Sequence, residues 1–169
     1  EPYLSTVVLS GTLIDNSSYE HKKDIIERIC SGSLHISLAY AEAKNSYNYN
    51  LPSTSLSSDL LLNGTKNLVL NGGNANKLVV SCIHNEELTL VIVNADKDGI
   101  SMNTFPTVDG QSCAEITFEN VSINSEDVIG TGDNALTLLN NSISLATLCV
   151  SAEAVGCMSS CYLKTVAYT

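Results

Sequence analysis

The sequence has 169 residues, 44% of them hydrophobic, which suffices for one domain with a hydrophobic core. Its 8 Lys and Arg residues against 18 Asp and Glu give a formal net charge of -10. This charge repels phosphate backbones and acidic membrane surfaces, so we expect no nucleic-acid binding. The longest apolar runs, such as Leu88–Val93, are far shorter than the roughly 20 residues of a membrane-spanning helix, so we expect no such helix.

The six cysteines are scattered among apolar neighbours, without a Cys-x-x-Cys pair or a histidine at metal-ligand spacing. This pattern favours buried free thiols in a reducing cytoplasm and no metal site. The sequence opens without a charged leader, apolar segment and small-residue cleavage site, so nothing in it indicates secretion. We therefore expect a cytoplasmic protein.

The first elements in the chain are predicted to be helical. Tyr3–Leu9 and Thr12–Ile14 are apolar and favour the tail of a helix. Tyr19–Cys30 places its isoleucines on one face, which predicts an amphipathic helix. Asn16-Ser17-Ser18 offers N-cap oxygens for this helix, and Ser31-Gly32 offers a C-terminal stop.

A run of predicted strands follows. Leu34–Ala41 lacks charge, as a mostly buried strand would, and the polar stretch Lys44–Ser58 predicts a long loop. Leu60–Gly73 contains apolar runs punctuated by Asn63-Gly64, and an Asn-Gly pair between such runs is typical of a tight turn. Further short apolar runs alternate with turn residues, which predicts an antiparallel barrel or sandwich. The predicted strands after residue 59 are Leu60–Leu62, Asn67–Leu70, Lys77–Ile83, Leu88–Val93, Ile100–Pro106, Ala114–Phe118 and Val121–Ile123.

The pattern changes after Gly130-Thr131-Gly132, which we interpret as a bend. Apolar residues then recur at helical spacing over Asn134–Tyr168, which predicts a helix roughly 50 Å long. Strongly polar residues are few in it, so other helices or another subunit should cover its surface. The fold class is α+β: an N-terminal helix, a β-barrel or sandwich, and one long C-terminal helix.

Five stretches, taken in order, resemble the acyl-CoA dehydrogenase family: SGSLHISLAYAEA, LLLNGTKNLVLNGGNANKLVVSCI, FPTVDGQSCAEITFENVSI, VIGTGDNALTLL and the helix ending in YLKTVAYT. The lack of a TEPxxGSD signature makes the chain most similar to the small-subunit, pimeloyl-CoA-type dehydrogenases. The resemblance implies three parts. Residues 1–33 would end the N-terminal helical domain, 34–130 would form the middle β-domain, and 131–169 would begin the C-terminal helical domain.

The resemblance implies an FAD flavoprotein of fatty acid metabolism, which introduces a Cα–Cβ double bond into acyl-CoA thioesters. An electron-transfer flavoprotein would be its partner, and a homodimer or higher oligomer would form through the long helix. The family's Arg-x-Gln-Phe-Gly segment and catalytic glutamate would follow Tyr168. We therefore expect this chain to contain no catalytic residue and to be inactive alone.

The family's flavin-facing motifs fall on two stretches of this chain. The stretch with the TEP motif aligns with Leu38–Ala43, and the stretch with the ITNG motif aligns with Leu68–Gly72. Glu42 matches the family's glutamate, but Ala41 and Leu70 stand where the family has threonines. Lys66 is predicted to face solvent, with phosphate contact as the alternative. The resemblance implies cofactor-binding roles for Tyr40, Ala41, Glu42, Leu68, Val69 and Leu70. The alternative function is a non-catalytic structural or interaction module of the same fold that no longer binds FAD.

Overall fold

The structure, a computed structural model, describes residues 2–43 and 48–168. A π-helical segment, Tyr3–Gly11, leads directly into α1 (Thr12–Asn16), and α2 spans Lys22–Cys30. The last helix is α3 (Gly132–Tyr168). The strands between them are β1 (Ile36–Ala39), β2 (Ser55–Leu56), β3 (Leu61–Leu70), β4 (Lys77–His84), β5 (Glu87–Asn94), β6 (Ile100–Pro106), β7 (Ser112–Ser122) and β8 (Val128–Thr131).

The N-terminal helices follow the sequence pattern except at the start of α2. The predicted capping by Asn16-Ser17-Ser18 is wrong, because His21 holds the N-cap position without a side-chain hydrogen bond. The Ser17 hydroxyl instead accepts a hydrogen bond from the Tyr19 N–H at 3.2 Å, in the turn before the helix. The predicted stop is confirmed, since Gly32 has a φ of 72° and its N–H bonds the Ile29 carbonyl at 3.0 Å.

The eight strands of the described residues belong to one sheet, in the order β6-β7-β3-β2-β4-β5-β8, with β1 paired to β4 outside this path. Most strand pairs are antiparallel. The exceptions are β1 and β2, which both pair in parallel with β4, on the edge of β4 opposite to the edge that pairs with β5. The strand β4 is therefore the centre of the sheet.

Both faces of β4 and β5 are buried, which explains their uninterrupted apolar sequences. Val79 and Leu90 belong to one hydrophobic cluster with the π-helical segment, α1 and α3. Val80 and Val91 belong to a second cluster, together with Ile116 and other side chains of β3 and β7. The sheet therefore curls so that distant strands share one interior, and the α+β prediction of a barrel or sandwich between helices is confirmed. The predicted domain boundaries stay predictions.

The predicted turn at Asn63-Gly64 is wrong, because both residues lie inside the continuous strand β3. The pairing of β3 with β7 shifts register between Leu62 and Gly64, which marks a β-bulge. Gly64 has a φ of 142°, and a Cβ there would lie 2.7 Å from the Thr54 Cα. The glycine therefore allows close approach of another segment rather than chain reversal.

The long C-terminal helix is confirmed, but the stretch before it is a strand rather than only a bend. Val128–Thr131 forms β8, which pairs with β5 at the sheet edge. Buried residues of α3 end at Ala146, and every residue from Val150 to Tyr168 is exposed. By length and composition alone α3 is apolar enough to cross a membrane, a test that core helices of other proteins also pass. The absence of a membrane span thus stays a prediction.

All six cysteines are free thiols, as predicted. The expectation that they are buried holds for Cys82 and Cys113 but is wrong for Cys30, Cys157 and Cys161, which are exposed. Cys157 and Cys161 are exposed because they lie in the second half of α3, where every described residue is exposed. Among residues 2–43 and 48–168, no group of three or more His, Cys, Asp or Glu side chains is placed to hold a metal ion.

Candidate functional site

The structure brings the two predicted cofactor-facing segments together. Tyr40–Ala43 follows β1, and Asn67–Leu70 ends β3. The Asn67 N–H donates to the Ala41 carbonyl at 2.8 Å, and the Ala43 N–H donates to the Asn67 side-chain oxygen at 3.0 Å. These two segments form one surface, which we call the candidate wall.

A bulge in β3 shapes the candidate wall. The pairing with β7 is interrupted between Lys66 and Val69, and Leu68 lies in the gap with a φ of 52°. Positive φ is unusual for a leucine, and such outliers concentrate at functional sites. The bulge turns the Leu68 side chain outwards, leaving it 59% exposed, whereas Val69 is 1% exposed and anchors the segment in the core.

Tyr40 and Leu70 lie deeper in the same region. Both are half-buried and pack against the hydrophobic cluster shared with the helices. The Tyr40 and Tyr49 rings make an edge contact with centroids 5.8 Å apart, and the Tyr49 hydroxyl bonds the Asn140 side-chain oxygen at 3.1 Å. Burial raises the pKa of Tyr40, so this phenol stays protonated at neutral pH. The aromatic pair ties the candidate wall to α3.

Glu42 points away from solvent into a buried ion pair beneath the candidate wall. Its Oε1 accepts hydrogen bonds from Lys66 Nζ at 2.7 Å and from the Thr54 hydroxyl at 2.7 Å. The N–H groups of Thr54 and Ser53 donate to the same carboxylate at 3.0 and 2.6 Å. Lys66 Nζ also donates to the Ser81 hydroxyl at 3.1 Å.

Lys66 does not face solvent, so that prediction is wrong: its side chain is 0% exposed and that of Glu42 is 7% exposed. Strand alternation in β3 turns Lys66 inwards, and the carboxylate supplied from beyond β1 makes its burial tolerable. Burial lowers the pKa of Lys66, and Glu42 opposes this effect. Burial alone would raise the pKa of Glu42, but the hydrogen bonds and charge of Lys66, with Thr54 and Ser53, hold it at about 2.

Sequence reasoning missed the partners of Glu42. Lys66, Thr54 and Ser53 are separated from it by 24, 12 and 11 positions, and no local motif links them. The available signal was Lys66 itself, a lone charge within an otherwise neutral strand. A charge at a core-facing position of a strand requires a partner elsewhere in the fold.

A neutral cavity opens beside the end of β3. Its volume is about 260 Å³, and its lining includes Leu4, Asn71 and Gln111. Asn71 in its lining directly follows Leu70 in the sequence, but none of the six predicted cofactor-binding residues lines the cavity. The cavity therefore flanks the candidate wall without belonging to it.

Solved structures share this architecture. A glutaryl-coenzyme A dehydrogenase in complex with glutaryl-CoA matches with a TM-score of 0.84 at 20% identity, over 94% of this chain and 43% of that one. A glutaryl-CoA dehydrogenase from Mycobacterium smegmatis in complex with FADH2 matches with a TM-score of 0.77 at 20% identity, over 85% and 39%. An acyl-CoA dehydrogenase from Geobacillus kaustophilus matches with a TM-score of 0.74 at 20% identity, over 82% and 40%.

The chain has the acyl-CoA dehydrogenase fold. It spans about two fifths of the length of these solved structures, which contain the corresponding strands and helices within longer chains. No protein-family model matches the sequence, and no curated protein is significantly similar to it. At this level of identity, the acyl-CoA dehydrogenase fold is what the structural likeness establishes.

Proposed function

We propose that this chain forms one wall of a flavin and acyl-chain cleft in an acyl-CoA dehydrogenase-like flavoprotein. The observation that carries the proposal is the convergence of Tyr40–Ala43 with the exposed bulge at Leu68. The neighbouring solved structures, one with glutaryl-CoA and one with FADH2, support it. The substrates would be acyl-CoA thioesters. The catalytic glutamate would come from the part of the fold that this chain does not span.

FAD is the cofactor that this fold implies, and the candidate wall fits its ring system through apolar contact. Leu68 exposes a large apolar side chain on a bulge, a surface suited to the face of an aromatic ring. Ala41 and Leu70 supply no hydroxyl, so hydrogen bonds to the ring would come from main-chain N–H groups. Each such neutral bond contributes about 1 kcal/mol, comparable to the side-chain bond it would replace.

A bound FAD would supply the hydride acceptor for the β-carbon of the acyl chain. The residues of this chain would bind the flavin ring and orient it. Leu68 provides the contact surface, Val69 anchors that surface in the core, and Tyr40 closes the inner side of the segment against the helices. Glu42 does not take a proton in this scheme, because its carboxylate is buried and engaged by Lys66.

The test is a titration of the chain with FAD, followed by quenching of flavin fluorescence. Leu68→Asp should weaken FAD binding by at least about tenfold, because it removes roughly 1.5–3 kcal/mol of apolar burial. Val108→Asp is the matched control, since Val108 is a fully exposed aliphatic residue in the turn between β6 and β7 and belongs to neither segment of the candidate wall. Equal affinity for both variants, or no FAD binding by the unsubstituted chain, would contradict the proposed flavin wall.

A second candidate function is suggested by Leu70, which packs against the hydrophobic cluster shared with the helices and has no polar group in its side chain. Together with Ala41 it favours a non-catalytic interaction module that has kept the fold without the flavin. Such a module would purify colourless and self-associate through α3. A monomer that retains yellow FAD at micromolar concentration would contradict it.

The proposed partners follow from the same observations. A second copy would cover the exposed half of α3, where Val155 and Leu163 are 57% and 66% exposed. In the context of a complete cleft, an electron-transfer flavoprotein would accept the electrons.

A further inference from the structure

The ion pair beneath the candidate wall connects four stretches of chain. Glu42 follows β1, its partners Ser53 and Thr54 precede β2, and Lys66 belongs to β3. Ser81, the second partner of Lys66, belongs to β4 and is 0% exposed. Every one of these contacts is directional, so together they fix the relative positions of the four stretches.

Stability alone does not account for an ion pair at this position. Replacing a buried ion pair with apolar side chains of similar volume is often neutral or stabilising, because two charges no longer have to be desolvated. Leu62 and Cys82, on the strands that carry Lys66 and Ser81, belong to an apolar cluster, so apolar side chains are the normal occupants of this part of the fold. What the charges add over apolar packing is a defined geometry.

That geometry is transmitted directly to the candidate wall. Ala41 and Asn67 are the chain neighbours of Glu42 and Lys66, and they are hydrogen-bonded to each other at 2.8 Å. The next residue, Leu68, has a φ of 52°, a conformation that persists only when its surroundings enforce it. The ion pair and the Ala41–Asn67 hydrogen bond therefore join the same two segments at neighbouring residues. In β3, both lie directly before Leu68.

We infer that the buried Glu42–Lys66 ion pair is the positioning element of the candidate wall, holding the Leu68 bulge against Tyr40–Ala43. Neither side chain contacts the ligand; they act through Ala41 and Asn67. The inference rests on the proposed function for the identity of the ligand, but the position of the bulge is measurable without any ligand.

The experiment compares the unsubstituted chain with Glu42→Gln and with the double variant Glu42→Gln with Lys66→Met. Amide hydrogen exchange at residues 40–43 and 67–70 reports on the candidate wall, and exchange at Leu90–Ile92 in β5 reports on the core. Glu119→Gln, at an exposed carboxylate on β7, is the matched control. Thermal unfolding is recorded for each variant.

The single variant leaves a buried charge unpaired, so it should lower the unfolding temperature and accelerate exchange. The double variant should recover the unfolding temperature, yet its wall amides should still exchange about tenfold faster than those of the unsubstituted chain. Its affinity for FAD should remain reduced. If exchange at the wall recovers together with the unfolding temperature, the ion pair only stabilises the fold and the inference is wrong.

Thr54→Val covers the case in which the double variant fails to fold. It removes one hydrogen bond to Glu42 while keeping a β-branched side chain at a buried position. It should accelerate exchange at the wall amides about threefold and leave β5 unchanged; unchanged wall amides would overturn the inference. If the unsubstituted chain binds no FAD, the proposed function fails, whereas the exchange measurements still decide the positioning role.

Discussion

Burial and hydrogen bonding act in opposite directions on the Glu42 carboxyl. Burial penalises its charged form, but the ammonium of Lys66 and the donors of Thr54 and Ser53 favour it and prevail. The pKa is therefore about 2 in the folded protein, compared with an ordinary value of 4.5. The carboxylate remains ionised throughout the neutral range, which suits a fixed ion pair and not a proton-transferring group.

This difference in pKa predicts a loss of stability in acid. Between about pH 4.5 and pH 2 the unfolded chain binds a proton at Glu42 while the folded chain does not. The free energy of unfolding should therefore decrease as the pH falls through this window, and the contribution should be fully present above it. Urea unfolding at pH 7, 4.5 and 3 measures the effect. The free energy of unfolding of the Glu42→Gln variant should decrease less between pH 4.5 and pH 3 than that of the unsubstituted chain. An identical decrease in both would contradict this prediction.

At the scale of elements, an Asn-Gly pair in β3 shows that the same dipeptide can lie in a strand instead of forming a turn. Asn63-Gly64 has the sequence of a hairpin turn, yet it lies within a strand and lets Thr54 approach closely. The reversal between β4 and β5 is made instead by Asn85 and Glu86, which have φ values of 50° and 68°. The sequence predicts a turn here, between the apolar runs Lys77–Ile83 and Leu88–Val93, although glutamate rarely adopts positive φ.

Gly64→Ala should therefore destabilise the protein by about 2–3 kcal/mol, because the new Cβ collides with the Thr54 backbone at an unfavourable φ. Gly156→Ala is the control within α3, where a Cβ would meet nothing within 4 Å. That substitution should stabilise the helix by about 0.5–1 kcal/mol. Chemical denaturation measures both. A Gly64→Ala variant as stable as the unsubstituted chain would refute the close-approach role.

At the scale of the whole molecule, α3 divides into two halves with different surroundings. Its first half packs through Leu138, Leu139 and Ala146 against the cluster shared with the N-terminal helices. Its second half exposes Val155, Met158 and Leu163 among other apolar side chains. Exposed apolar surface of this extent is typical of an interaction site.

The exposed half of α3 should cause self-association at micromolar concentration. Sedimentation velocity should show a concentration-dependent dimer or larger species. Leu163→Glu should shift the distribution towards monomer, because a carboxylate at the contact must be desolvated. Val108→Glu adds the same charge at a turn and should leave the distribution unchanged. A monomer at all accessible concentrations would exclude association through this helix.

The sequence by itself determined the order and type of most elements. The alternation of short apolar runs with turn residues predicted the sheet, and the apolar spacing after Gly132 predicted α3, because these patterns depend on local periodicity. The six candidate residues were located by resemblance, and the structure brings their two segments together. Their cofactor-binding role stays a prediction.

The tertiary structure alone decided the roles of Asn63-Gly64 and Lys66. Whether an Asn-Gly pair turns or bulges depends on which strand lies opposite, and β7 pairs with β3 on both sides of the pair. Whether a lysine in a strand is exposed depends on a partner for its charge, and Glu42 reaches it from 24 positions away. Such long-range contacts leave no local pattern, so the geometry of the candidate wall could be known only from the folded chain.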